Sequence, residues 1–205
     1  MTPIKANYDA IASHWLKARN QLPAADNSLF EQFTEMLKPN SQLLDMGCGS
    51  GKPIAVKMVA RGHSITGVDR SKALLAEARK LMPAQTWILD EMDSYVPLER
   101  FDGAIMWDSL FHLPRDVHGL ILSRLFAALA PGAPLILSSG GSAQSIPAFT
   151  DLMFGELFYY DAMPIPELLA YCQGLGWEVI THTLVNKPDG GRDKGRVGII
   201  LRKPL

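Results

Sequence analysis

Hydrophobic positions along this chain follow two alternating rhythms. Near the amino-terminus, Tyr8, Ile11, Ala12, Trp15 and Leu16 recur at the three-to-four spacing of one helix face, which predicts a helix over 7–19. Phe30, Phe33 and Leu37 repeat that spacing over 29–37, and Pro39-Asn40 ends it. Short apolar runs then alternate with helical patterns: strand 42–46, helix 52–60, strand 63–68, helix 71–81, strands 86–89 and 101–107, helix 115–129 and strand 134–139. Ser71 stands directly ahead of its helix as a suitable cap. Such alternation predicts a parallel sheet with right-handed crossovers and helices on both faces. The tail changes rhythm. A helix near 165–174 precedes strands 177–185 and 195–201, joined by a turn-rich 186–193, and this reads as an antiparallel hairpin on the sheet edge. Segment 140–164 fits neither rhythm: Gly and Ser open it, and Phe149, Met153, Phe154, Leu157, Phe158, Tyr159, Tyr160 and Met163 then make it aromatic.

Candidate chemistry concentrates where the first strand ends, at Leu43-Leu44-Asp45-Met46-Gly47-Cys48-Gly49-Ser50-Gly51-Lys52-Pro53. An apolar strand, an acid and a glycine turn before a helix describe a nucleotide-type ligand lying on bare backbone at the carboxyl edge of a parallel sheet. Gly47, Gly49 and Gly51 read G-x-G-x-G, not the G-x-x-G ending of a dinucleotide fingerprint. Gly51-Lys52 fits the end of a phosphate-gripping loop, but Met46 sits where its first glycine belongs and Pro53 replaces the magnesium-binding hydroxyl. What remains, D-x-G-C-G-x-G, resembles motif I of the class I S-adenosylmethionine-dependent methyltransferases. The resemblance implies that Asp45 and the turn Gly47, Cys48, Gly49 and Gly51 hold the methionine part of that cofactor, with the carboxylate contributing to the ammonium site.

Other stretches extend the resemblance in order. Gly67-Val68-Asp69-Arg70-Ser71 ends the second strand with an acid 24 positions after Asp45, near the ~20-residue spacing for a ribose-binding carboxylate. Two vicinal hydroxyls match two carboxylate oxygens there, and Arg70 lies beside them. After the third strand the family places an acid and an apolar residue around adenine; Glu91-Met92 occupies that register, with Asp90 as the alternative. The fourth-strand exit, Trp107-Asp108-Ser109-Leu110-Phe111-His112-Leu113, resembles the stretch bordering the methyl group. Trp107, Asp108 and Ser109 are therefore candidates for the cofactor wall. His112 is a candidate general base, or a histidine that ties the loop to backbone. Tyr8-Asp9-Ala10-Ile11-Ala12-Ser13-His14-Trp15 resembles a helix that covers the cofactor, so Tyr8 and Trp15 are placed over it; core packing gives the same spacing. Phe111, Phe158, Tyr159 and Tyr160 are candidates for the acceptor side.

Composition narrows the partners. The chain has 205 residues, 47% of them hydrophobic and 20% charged, with a net charge of −1. That is a globular composition with no electrostatic footprint for nucleic acid or anionic lipid. Two cysteines make no disulfide framework or metal cluster, the amino-terminal residues lack a signal-peptide core, and the apolar stretch 117–137 is broken by Arg124, Pro131-Gly132 and Pro134. A cytoplasmic location follows as the expectation, with no membrane or nucleic-acid partner and no metal. The expected architecture is one α/β domain over 1–205 with a Rossmann-like, mostly parallel seven-stranded methyltransferase sheet and a C-terminal antiparallel hairpin. Residues 1–40 cover the cofactor, 41–139 bind it, 140–164 cap the substrate side, and 165–205 form the last helix and hairpin. The expected activity is methyl transfer from S-adenosylmethionine to a small, partly apolar acceptor. A non-catalytic S-adenosylmethionine-binding protein and an NAD(P)-dependent oxidoreductase are the rivals.

Overall fold

The computed structural model describes residues 5–189 and 194–205. Residues 190–193 of the expected turn and the first four residues of the amino-terminal segment lie outside these. Helices α1 (Tyr8–Ala18) and α2 (Ala24–Glu35) lead into β1 (Gln42–Met46), α3 (Ile54–Ala60), β2 (Ser64–Asp69), α4 (Lys72–Leu81), β3 (Thr86–Leu89) and β4 (Gly103–Met106). A 3-10 turn at Leu110–His112 precedes α5 (Arg115–Ala128) and β5 (Pro134–Gly140). Then come β6 (Phe149–Met153), β7 (Glu156–Tyr160), α6 (Ile165–Gly174), β8 (Glu178–Asn186) and β9 (Arg196–Arg202). No helix among the described residues is long and apolar enough to cross a membrane.

Seven strands form one sheet in the order β3-β2-β1-β4-β5-β9-β8. The first five in that order pair in parallel, while β9 is antiparallel to both β5 and β8. Successive side chains of a strand point to opposite faces, and the core divides accordingly. Leu43, Ile65, Ile105, Ile136 and Ile200 pack with Phe30, Phe33 and Met58 on one face. Leu44, Ala104, Met106, Leu135, Leu137 and Ile199 pack with α5 and α6 on the other. Both faces being covered explains why β4 is apolar throughout and why β1 is buried from Leu43 to Met46. The chain steps outward one way from β1 and the other way from β4, so the crevice at their carboxyl ends is the topological switch point.

Two differences from the sequence pattern have physical causes. Helix α2 starts at Ala24, after Pro23 as N-cap, well before the apolar spacing begins. Its first turn is held by charge: Asp26 is fully buried and accepts two bonds from the Arg196 guanidinium, each at 2.9 Å, and one from Trp107 Nε1 at 3.0 Å. Segment 140–164, which fitted no pattern, contains the separate hairpin β6–β7. Phe154 and Gly155 turn it, with φ of +51° and +87°, the paired left-handed backbone of a two-residue hairpin turn. Its buried Phe158 packs on Ala6 and Ile11, fixing the hairpin against α1.

The same Arg196 also bonds Asp108, which in turn bonds Arg19 at the end of α1. Removing one partner of a buried ionic network leaves the other uncompensated, at a cost of about 3–5 kcal/mol. Asp26→Ala is therefore expected to lower the unfolding free energy by about 3 kcal/mol in urea titration; a change below about 1 kcal/mol would show that Arg196 is held by its remaining partners.

Candidate active site

A cleft of about 270 Å³ opens at the switch point, lined from α1, the glycine turn, the ends of β2 and β3, and the β4 exit. The turn is anchored to the neighbouring strand: the N–H groups of Gly47 and Cys48 donate to the Val68 carbonyl at 2.8 and 3.1 Å. A Cβ on Gly47, whose φ is +79°, would stand 2.4 Å from the Ser109 Cβ, so glycine lets the β4 exit close on the turn. At Gly49 (φ +54°) the nearest atoms to such a Cβ are Leu74 Cδ1 at 3.6 Å and Trp15 Nε1 at 3.9 Å. Its peptide therefore faces the cleft with no side chain in the way. Cys48 lines the cleft as a buried thiol, pushed up in pKa chiefly by that burial.

The acids around the cleft differ in what holds them. Asp69 accepts from the Gly49 N–H at 2.7 Å on one oxygen and from the Ser71 N–H at 2.8 Å on the other. Each oxygen keeps a second lone pair. Burial raises its pKa, and the two N–H bonds oppose the rise. Glu91 bonds Lys5 and lies 4.0 Å from the Arg70 guanidinium. Of the two registers considered after β3, Glu91 and Met92 lie on the cleft wall, whereas Asp90 builds the local turn by accepting from the Glu91 N–H at 2.7 Å and Ser94 Oγ at 2.9 Å. Asp45 is different. It is 3% exposed, and among the described residues nothing hydrogen-bonds or ion-pairs with it. Burial first, and then the nearby Asp69, push its carboxyl up to about 7. A buried carboxylate without a partner is neutralised by a proton or by a positive charge brought to it.

At the other wall, Asp108 adopts φ +53°, with its N–H on Ser138 Oγ at 2.7 Å and its carboxylate on Arg19 and Arg196. Trp107 and Ser109 flank it, and Ser109 Oγ donates to the Met46 carbonyl at 2.9 Å. His112 is 8% exposed. Its Nδ1 lies 3.0 Å from the Tyr159 carbonyl, and its Nε2 lies 2.9 Å from the Tyr8 hydroxyl. A carbonyl can only accept, so Nδ1 carries the proton and Nε2 accepts from Tyr8. Burial holds the imidazole neutral, with its pKa lowered to about 4. The lone pair that a general base would use is therefore already engaged by Tyr8.

The remaining sequence-derived candidates fall in different places. Tyr8 and Trp15 line the cleft, ring centroids 5.1 Å apart. Phe111 and Tyr160 line a second cavity of about 420 Å³, together with Ile146, Pro147, Phe149 and Met163. Phe158 is instead buried against α1, and the Tyr159 hydroxyl donates to Asp161 at 3.2 Å. Four residues of the site escaped the sequence reading: Lys5, Arg19, Asp9 and Arg196. Asp9 Oδ1 accepts from Ser71 Oγ at 2.5 Å and the Ala73 N–H at 2.9 Å, docking α1 on the amino end of α4. Arg19 carried a legible signal, since it lies four residues after Trp15 and its guanidinium stands 5.6 Å from that ring centroid. Arg196 carried none, because its acidic partner is 170 positions away.

Comparison with known proteins agrees with this architecture. Residues 15–182 match a family model described as a methyltransferase domain. Trans-aconitate 2-methyltransferase of Paracidovorax citrulli (strain AAC00-1) is 29% identical over 109 residues, covering 53% of this chain and 42% of that protein. Malonyl-[acyl-carrier protein] O-methyltransferase of Serratia marcescens is 26% identical over 191 residues, covering 89% of this chain and 74% of that protein. The chain spans about two fifths of the length of the trans-aconitate relatives it matches. The structure of 1,6-didemethyltoxoflavin-N1-methyltransferase from Burkholderia thailandensis, with S-adenosylhomocysteine bound, shares the fold at TM-score 0.68 and 20% identity, covering 100% of this chain and 93% of that one. From its motif I turn, its strand order and the family match, the chain belongs to the class I S-adenosylmethionine-dependent methyltransferases.

Proposed function

We propose that this cleft binds S-adenosylmethionine and that the protein transfers its methyl group to a small-molecule acceptor. The observation that carries the reading is Asp45: a buried carboxylate at the switch point, beside a bare glycine turn, with no cationic partner among the described residues. An amino-acid ammonium supplies that partner. Asp69, with a free lone pair on each oxygen, accepts from the ribose hydroxyls; Glu91 and Met92 border adenine, with Arg70 beside them. Gly47, Cys48 and Gly49 form the floor, Trp107 and Asp108 the wall, and Tyr8 and Trp15 the cover contributed by residues 1–40; Gly51, expected in the turn's grip on the cofactor, instead faces Met82 and Trp87, where a Cβ would stand 2.5 Å from the Met82 methyl, and supports the turn from behind. The second cavity, walled by Phe111 and Tyr160 under the cap 140–164, takes a partly apolar acceptor. No nucleic acid or membrane enters this reading, and the location is cytoplasmic.

When bound, the cofactor supplies a methyl group already activated by its sulfonium. The chain's part is to align the acceptor and exclude water. The aromatic contacts of Tyr8 with Trp15 and Phe158, at 5.1 and 5.0 Å, supply the water-excluding roof. Arg196, which lines the second cavity beside Lys194, is paired with Asp26 and Asp108, which favours an acceptor that needs no guanidinium to recognise it.

Three outcomes follow. Asp69→Ala weakens S-adenosylmethionine binding by about 1–3 kcal/mol in calorimetry; unchanged affinity removes Asp69 from the site. Because Asp45 titrates at about 7 when folded against 3.8 ordinarily, the folded protein keeps a proton that the unfolded chain releases. Its stability contribution is thus full below the unfolded pKa and declines as pH rises towards 7. Asp45→Asn raises the ligand-free melting temperature at pH 8, by roughly 2–4 °C for each kcal/mol recovered, with little effect at pH 4, and it weakens cofactor binding. A variant that melts no higher at pH 8, or binds as tightly as the parent, contradicts this assignment. Finally, labelled cofactor releases its methyl to some member of a panel of neutral, partly apolar acceptors; micromolar cofactor affinity with silence across that panel favours a non-catalytic binder.

A further inference from the structure

The sheet ends differently on its two sides. At one edge β3 is four residues long and runs straight into Asp90, Glu91 and Asp93, a short strand closed by charge. At the other edge β8 runs for nine residues, Glu178–Asn186, and its inner side pairs with β9. Among the described residues no strand pairs with its outer side, so a row of backbone N–H and C=O groups faces outwards there. Natural proteins blunt such edges with lysine, proline or other charges. Over 179–186 β8 carries no lysine, arginine, acid or proline; it reads Val-Ile-Thr-His-Thr-Leu-Val-Asn, with Ile180 42% and Leu184 40% exposed. Irregularities between Val179 and Thr181 and between Leu184 and Asn186 leave a regular middle over 181–184.

The stretch is also its own complement. Outward from His182 the same chemistry recurs in both directions: Thr181 and Thr183, then Ile180 and Leu184, then Val179 and Val185. A two-fold axis normal to a sheet keeps every side chain on its own face, so an antiparallel self-pair must centre on one residue that meets its copy. Centred on His182, threonine meets threonine and Ile180 meets Leu184 of the second copy, pairs that stabilise a sheet. The Glu178 end of one strand meets the Lys187 end of the other, so the charges flanking the stretch approach with opposite sign. Neighbouring registers lose this match. Centring one residue earlier sets Glu178 against Leu184, and centring one later sets Lys187 against Val179. We propose that the outer edge of β8 is an interface for a second copy of this chain, joined as an antiparallel two-fold pair centred on His182. The contact closes on itself and stops at the dimer, which protects an edge that carries no charge of its own. Nine residues give roughly 30 Å of edge, and the two irregularities confine its flat part to the middle, so the interface is small. Association in the micromolar range is the expectation. The proposal is independent of what the cleft binds.

The experiment is sedimentation velocity on the full chain from about 1 to about 500 μM, a range that brackets micromolar association, for the parent and His182→Glu. The parent passes from monomer to dimer across the range. His182→Glu sets two carboxylates against each other at the axis and raises the dissociation constant by about tenfold or more. His182 and Thr183 are exposed, and circular dichroism checks that each variant keeps the fold. Cross-linking reads the register separately. Under mild oxidation His182→Cys links two chains, because directly opposed residues lie within disulfide reach. Thr183→Cys does not, because the two copies of that position sit diagonally, about 7–8 Å apart. Cys48 and Cys172 are buried, and the parent under the same oxidant gives the background. A chain that stays monomeric to about 500 μM overturns the proposal and leaves the edge to a different partner. A dimer that His182→Glu leaves intact, or that links through Thr183→Cys as readily as through His182→Cys, uses another surface or register and overturns it as well.

Discussion

One chain of charges, buried at Asp26 and half-buried beyond it, sets the geometry on which everything else depends. Asp26, Arg196, Asp108 and Arg19 alternate in sign and come from α2, β9, the β4 exit and the end of α1. Desolvating such groups is costly, and attraction repays it only when each donor meets its acceptor closely. The network is therefore intolerant of slippage, and that is its structural use. It fixes Asp108 in a left-handed backbone conformation uncommon for a residue with a side chain. From there Trp107 turns one way to Asp26, and Ser109 the other way to the glycine turn. The covering helix, the sheet edge and the cleft wall thus share one anchor.

Against that anchored background the charge of the cleft can be sorted by whether it is already answered. Asp108 and Glu91 meet cations of the chain itself, and Asp69 meets two backbone donors. Among the described residues Asp45 has no hydrogen-bond or ion-pair partner, although it is the acid that follows the apolar core of β1 into the glycine turn. Under the proposed function, that unanswered carboxylate is where a positive charge delivered by a ligand would be met.

Much of this was legible in the sequence because it was local. The alternation of apolar runs foretold the parallel sheet, the glycine spacing separated a methyl-donor turn from phosphate-binding ones, and Ser71 marked the start of α4. The antiparallel tail was readable from its change of rhythm. What escaped was long-range or built from residues with no pattern of their own. The first turn of α2 is two alanines and polar residues, and it is ordered through Asp26 by an arginine near the other end of the chain. The β6–β7 hairpin hid because aromatic residues occupy both of its strands, blurring the alternation that marks a half-buried strand; the Phe154-Gly155 turn was its one local sign. His112 was legible as a candidate, but that its Nε2 lone pair is committed to Tyr8 required knowing that β7 lies beside it.

The central claim is that the bare carboxylate of Asp45 and the half-satisfied one of Asp69 together hold the amino-acid and ribose ends of one ligand. A crystal structure of the chain with S-adenosylhomocysteine tests it most directly. The account predicts the ligand's ammonium within hydrogen-bonding distance of Asp45 and its ribose hydroxyls on the two oxygens of Asp69, with adenine against Met92. A ligand bound elsewhere, or bound in this cleft with Asp45 still without a cationic partner, would contradict it.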